Sequence, residues 1–338
     1  MRRPCDGMEA YVSASFDGIR GHMDEELPYP FERDMLKLLK KENPFEQEYH
    51  YIRRGGDFAF FVLYRNRMNI LTFGKKSLYF NLKVIGYPCS LSDCGYVTNN
   101  ESFMLEYIKS IKGAKLVLNA KNPFALKGMT VGETLPTCVF ENRFETAEDY
   151  LRALRSQYRR RIKLAAKACR GIEVRPADGG MPDVYRLYLN TYQKSDYKLE
   201  RLEKGFFEGV NAQTLGFWEG GTLRGFVLLR KDGDRLIFML CGMDYAYKTA
   251  DLYYFMLYNI IQYAVANRCS VIDFGQTSEQ TKLKFGARLE PRYFYAHHTN
   301  KLLNLLVRLG KGLLEYKYGF AQYRVFKEEK DESITGQT

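Results

Sequence analysis

Histidine is scarce in this chain, and cysteine is not arranged for metal. The four histidines, His22, His50 and the adjacent His297 and His298, fall at no ligand spacing, so no metal site is expected. Seven cysteines (Cys5, Cys89, Cys94, Cys138, Cys169, Cys241, Cys269) form no CxxC pair and are odd in number, which reads as reduced, intracellular thiol. A Ser-His-Asp or Cys-His nucleophile system is not expected either. Long apolar runs are also lacking: the longest, Leu252 to Ala266, falls short of the roughly 18 residues that span a bilayer and contains Asn259 and Gln262. It reads as a helix buried within the protein. The N-terminus MRRPCDGMEAYVSASFDG has no apolar signal core, so export by that route is not expected and residues 1 to 28 are expected to be loosely ordered. These absences point to a cytoplasmic location.

What the chain does have is positive charge in an ordered place. With 338 residues and 46% hydrophobic content it can bury a substantial core, in two domains rather than one, and its formal charge is +11. The densest basic stretch is Leu151 to Arg170, LRALRSQYRRRIKLAAKACR, with eight Arg or Lys and no acid. Leu151, Leu154, Tyr158, Ile162, Ala165 and Cys169 recur at steps of three and four, and Arg152, Arg155, Arg159, Lys163, Lys167 and Arg170 repeat those steps one residue later. The pattern predicts one helix with an apolar stripe beside a cationic stripe. Like charges stacked at i, i+4 repel, so the stripe suggests a polyanion partner, the alternative being a solvated face.

The carboxyl-terminal half parses as a short strand at 172–175, helices at 182–194 and 199–210, and strands at 214–218, 223–230 and 235–243. The turns EGGT and KDGD make those three strands an antiparallel meander. The loop 244–251, the apolar helix 252–267 and a strand at 270–274 follow, and the distance from the meander implies a parallel crossover. A helix at 278–285 and a strand at 292–297 finish the unit. The amino-terminal half reads as a shorter version: helix 31–41, strands 57–64, 68–73 and 78–86, helix 102–111 and strand 115–118. The expected domains are a flexible segment 1–28, a degenerate unit 29–145, a second unit 146–300, and an amphipathic helix with a polar tail over 301–338.

This order of elements, with the words LRSQYRRRIKLAAK and DFGQTSEQTKLKFGA, resembles the GNAT acyltransferases, and within them the Fem-type peptidoglycan-bridge aminoacyl transferases and the CelD-like bacterial proteins. The resemblance implies an α/β fold of tandem GNAT-like units, mixed sheets with splayed central strands, and a degenerate amino-terminal unit. The opening would lie near Leu240–Met243 and Asp273. The family lysine before a Gly-Ala or Phe-Gly falls at Lys282 or Lys284; the two point in different directions on a helix, and Lys282 is the better match. One feature departs from acetyl-CoA-using members. The loop Asp244-Tyr245-Ala246-Tyr247-Lys248-Thr249-Ala250-Asp251 has no glycine to cradle a pyrophosphate, which leaves Lys248 and the helix dipole for that task.

An acyltransferase of this kind needs amine deprotonation, oxyanion stabilisation and leaving-group protonation. Backbone N–H groups at Cys241 to Met243 are the expected oxyanion donors. Asp244, Glu279 and Asp273 are the candidate bases, each with a structural alternative as a turn cap or helix-start acid. Lys282 would hold a phosphate or the oxyanion, and Tyr293 or Tyr295, which share a strand face, would protonate the leaving group. Arg155, Arg159 and Lys163 would bind substrate phosphates. No cofactor is required, the donor being acyl-CoA or aminoacyl-tRNA. The acceptor would be an anionic small molecule or a lipid-linked one, in envelope glycan assembly. The other reading is a noncatalytic GNAT-like protein that binds nucleic acid or anionic lipid through its cationic helix. Residues 301–318, KLLNLLVRLGKGLLEYKY, pattern either as a membrane-surface helix or as one packing its leucines back on the protein.

Overall fold

In the computed structural model, which describes residues 7–74, 76–89, 91–177, 180–247 and 251–327, the chain forms two compact units. Unit 1 comprises Met1–Pro136, Ser195–Asn211 and Pro291–Tyr318; unit 2 comprises Thr137–Lys194, Ala212–Glu290 and Gly319–Thr338. The elements begin with β1 (Glu9–Ser13), α1 (Asp17–Arg20), α2 (Arg33–Glu42), β2 (Gln47–Arg54), β3 (Asp57–Asn69) and β4 (Tyr79–Ile85). Next come β5 (Tyr96–Thr98), α3 (Glu101–Ser110), β6 (Ala114–Ala120), β7 (Thr130–Glu141), α4 (Ala147–Ala153) and α5 (Ser156–Ala168). β8 (Glu173–Pro176), α6 (Met181–Lys194), α7 (Lys204–Gly209), β9 (Gln213–Glu219), β10 (Thr222–Asp232) and β11 (Arg235–Met243) follow. The chain closes with α8 (Leu252–Ala266), β12 (Val271–Asp273), α9 (Glu279–Leu283), β13 (Arg288–His298), α10 (Lys301–Leu309) and α11 (Lys311–Leu314).

Within unit 1 the strand order is β1-β2-β3-β4-β6-β13, with β5 on β3. β2, β3 and β4 form an antiparallel meander, α3 crosses over, and β6 returns parallel to β4 from the pair Lys83–Lys115 to Ile85–Val117. The Asn100 side chain caps α3 by accepting from Phe103 N, and the helix buries Phe103, Met104, Leu105 and Ile108 against Ile52, Phe61 and Val117. Two sequence expectations change here. The strand read at 57–64 runs on to Asn69 as β3, residues 70–73 form a turn instead of a second strand, and the meander begins at β2, whose mixed residues QEYHYIRR hid its alternation. The first 28 residues are not loose where described: β1 pairs with β2, and Phe16, Ile19 and Met23 are buried, which fixes the segment to the sheet.

Unit 2 repeats the plan. Its order is β7-β12-β11-β10-β9-β8, with β9, β10 and β11 antiparallel and β12 parallel to β11. Gly220 and Gly221, both at positive φ, make the first turn as the sequence suggested. The apolar helix α8 buries Met256, Leu257, Ile260 and Ile261 against Phe217, Val227, Leu236 and Ile272. Each such side chain contributes roughly 1.5–3 kcal/mol on burial. The closing strands are exchanged: β13 follows α9 of the second repeat yet pairs with β6 in unit 1, and the end of β7 pairs with β12 in unit 2. The protein is thus α/β with mixed sheets, its GNAT-like order of elements present twice.

The single basic helix expected over 151–170 is instead two, α4 and α5, broken at Leu154 and Arg155, where the backbone is extended. The carboxyl-terminal strap causes the break. Leu154 bridges Phe326, and Arg155 N donates to Val325 O at 2.9 Å. Neither glycine nor proline marks the position, so the sequence alone carried no signal for it.

Candidate active site

The parallel pairing of β11 with β12 lasts from Arg235–Val271 to Ile237–Asp273 and then stops. β11 runs on to Met243, while β12 ends and the chain turns away through Gly275, at φ +70°. Past Ile237, then, one edge of β11 has no ladder partner among the described residues. Which backbone groups face that edge follows from alternation. Asp244 N donates toward β10, to Arg224 O at 2.8 Å, and Met243 N points the other way, to Thr191 Oγ1 at 3.2 Å. Cys241 N shares the side of Met243 N, so these two N–H groups face the opening, and the Thr191 hydroxyl already occupies one of them.

Across the opening lies the segment that continues β12. Asp273, 1% exposed, accepts from Thr137 Oγ1 at 2.9 Å and from Gly275 N at 2.7 Å, and it pairs with Arg235. Those partners make it a holder of the turn. Thr277 and Ser278 follow at φ +63° and +51°, an uncommon pair for residues with side chains. Lys282, on α9, turns back under this strained turn, where Nζ donates to Gln276 O at 2.7 Å and Gly275 O at 3.3 Å. It is 2% exposed, and burial pulls its ammonium pKa below the usual lysine range, against the opposing pull of the acids Glu279 and Asp273. Lys284 points elsewhere, over the Tyr323 ring at 5.4 Å.

Glu279 is buried beside Lys282 and Cys138. Tyr253, in the first turn of α8, hydrogen bonds Ser278 and lies near Cys241 and Cys138, and burial raises its pKa. Sequence reasoning missed Tyr253, since it sits inside an unbroken apolar run whose facing could not be read. Burial also pushes the Cys241 thiol up to about 11 and Cys138 up to about 12, so neither is a thiolate nucleophile at neutral pH. The cluster therefore offers a backbone donor, a buried lysine and carboxylate, and a phenol, but no covalent nucleophile: it suits direct attack on a carbonyl.

The other residues singled out from sequence fall elsewhere. Asp244 accepts from Arg224 Nη1 and from Ala246 N, both at 3.1 Å, and so caps its loop. Tyr293 and Tyr295 belong to unit 1. Tyr295 is buried, its hydroxyl donating to Asn122 O at 2.6 Å and accepting from Phe124 N at 2.7 Å, which fixes a loop. Arg155 uses its Nε on Phe326 O at 3.1 Å. Arg159 and Lys163 have no ion pair among the described residues, and Lys163 is exposed. An arginine not anticipated, Arg161, pairs with Asp251 at 2.5 Å and lies over the Tyr254 ring at 4.0 Å, neutralising the acid that starts α8. Lys248 lies outside the described residues. No cluster of His, Cys, Asp or Glu among the described residues is arranged to hold a metal ion. Surface concavities of about 360 and 270 Å³ lie in unit 1, the larger lined by Glu9, Asp24 and Arg53, with Arg53 paired to both acids.

Comparison with known proteins bears on this site. Residues 152–283 match the family model described as an acetyltransferase (GNAT) domain. Solved structures with similar chains include FemX, 13% identical over 81% of this chain and 93% of that one, with a TM-score of 0.48. L-PGS from Bacillus licheniformis is 10% identical over 77% and 87%, TM-score 0.48. A tandem GNAT protein from the clavulanic acid biosynthesis pathway is 10% identical over 87% and 99%, TM-score 0.48. A search of curated proteins finds no match. The matched segment, residues 152–283, contains β11, β12, α8 and α9, so the similarity to the acetyltransferase (GNAT) domain model extends over the elements described above.

Proposed function

We propose that the protein is an N-acyltransferase that moves an acyl or aminoacyl group from a thioester or ester donor to an amine. The observation that carries this reading is the end of the β11–β12 ladder after Ile237 and Asp273, which leaves Cys241 N–H on an unpaired strand edge, with Lys282 and Tyr253 near the Cys241 thiol and Glu279 near Lys282. The donor carbonyl would enter the gap with its oxygen on Cys241 N–H. As the amine attacks, a C–N bond forms and negative charge grows on that oxygen, where the backbone donor is worth most because it needs no reorganisation. Glu279 takes the proton the amine loses. The Tyr253 hydroxyl protonates the departing sulfur or oxygen as its bond to carbon breaks. Lys282 holds the turn that shapes the far wall and places positive charge near the oxyanion.

The donor is acyl-CoA or aminoacyl-tRNA, and the acceptor an anionic molecule, small or lipid-linked, of the envelope-glycan kind. Arg159 and Lys163 on α5 are the cations we assign to its phosphates, Arg155 being engaged by Phe326. The test is to incubate the purified protein with an acyl-CoA pool and, separately, with aminoacyl-tRNA, each with amine acceptors, following loss of the acyl bond. Turnover with either donor supports the reading. Tight polyanion binding with turnover of neither supports a noncatalytic binder working through α5.

A further inference from the structure

Helix α10 presents its apolar side outward. With 3.6 residues per turn, Leu302, Leu305, Leu306 and Leu309 share one face about 100° wide. They are 66%, 44%, 55% and 76% exposed. Asn304 occupies the opposite side and holds the helix down by polar ties, its Oδ1 accepting from His298 N at 2.9 Å and its Nδ2 donating to Gly128 O at 2.8 Å. Neither α10 nor α11 has a buried residue, and Leu313 on α11 is 67% exposed. A surface helix of a water-soluble domain normally packs its apolar stripe inward. Here the leucines stay out even though the helix is anchored.

The rim is cationic. Lys301, Arg308, Lys311 and Lys317 are exposed, and the acid of the segment, Glu315, is 3.3 Å from Lys311. Lys301 and Arg308 fall on the border of the leucine face. A second apolar exposure adjoins it within unit 1: Phe73, in the β3–β4 hairpin, contacts Tyr316 at 5.0 Å between ring centroids, and Leu78, Tyr79 and Phe80 of that hairpin are exposed. Pairing with a second copy across a two-fold axis would set this cationic rim against itself, which disfavours self-association. Anionic lipid satisfies both features, since leucines enter the headgroup–acyl boundary while lysine and arginine meet the phosphates.

We propose that α10 and α11 dock the protein on an anionic membrane surface, with Leu302, Leu305, Leu306, Leu309 and Leu313 immersed. This rests on unit 1 alone and stands or falls independently of the transfer reaction. Full-length protein is sedimented with vesicles of phosphatidylcholine, with and without phosphatidylglycerol. Binding is expected on the phosphatidylglycerol vesicles and much weaker on phosphatidylcholine alone. Lys301→Glu with Arg308→Glu should lower partitioning roughly tenfold or more, as should Leu302→Ser with Leu306→Ser and Leu309→Ser. Both variants replace exposed residues and should keep the melting temperature of the parent. Binding to neither vesicle type, equal binding of parent and leucine variant, or a solution dimer that the leucine variant dissolves would each overturn the proposal.

Discussion

At the scale of single residues, chemistry and stability are assigned to different lysines and tyrosines. Replacing Lys282 by Met removes the donor that spans the Gly275 and Gln276 carbonyls, and acyl transfer should fall at least about a hundredfold in kcat. Tyr253→Phe, which leaves packing intact, should lower kcat by roughly tenfold to a hundredfold without moving KM, measured on the same donor. Tyr295→Phe should leave kcat alone and cost stability instead, since its hydroxyl ties Asn122 to Phe124. Unit 1 also carries two groups that make stability depend on pH. Burial lowers His297 to about 4 and Lys115, its cross-strand partner, to about 8. In the unfolded chain these groups hold their protons up to about 6.5 and 10.4, so the unfolded state binds more protons within both windows. Stability should rise from about pH 4 to about 6.5 and again from about 8 to about 10.4. Denaturant melts of the His297→Gln variant should lose the first rise only.

At the scale of elements, the β11–α6 contact and the strap on α5 hold the site in place. A methyl at Gly242 would meet the backbone of Leu187 and Tyr188 at 2.5 and 2.7 Å, so Gly242→Ala should cost about 2 kcal/mol or more and loosen the Thr191 contact to Met243. Phe326→Ala should cost about 3 kcal/mol in denaturant melts, because Phe326 packs on Phe144 and Tyr150 and bridges Leu154. Legibility in the sequence differed among elements for physical reasons. The β9–β10–β11 meander could be read because its strands alternate and its turns need glycine. β7 could not, since Gly132 and Pro136 resemble breaks, and the α4–α5 break depends on residues some 170 positions away. The leucine stripe of α10 was plain, yet a stripe has no sign: pattern alone does not say whether it faces the core or solvent.

For the whole molecule, the same meander, crossover and parallel return occur in both units, and β7 and β13 pass between them. The repeat was visible in the order of elements. The exchange of closing strands was not, because strand pairing over long separations leaves no local mark. A short motif singled out Asp273, Glu279 and Lys282 in the sequence, of which Asp273 holds the turn, whereas the Cys241 amide is backbone and has no sequence trace. The central claim is that this amide receives a donor carbonyl in the gap beyond Ile237 and Asp273. A crystal structure with a non-hydrolysable donor analogue tests it most directly. The expected result is the carbonyl oxygen about 3 Å from Cys241 N, with Tyr253 Oη near the leaving atom. An analogue bound elsewhere, with the edge of β11 closed by side chains, would contradict it.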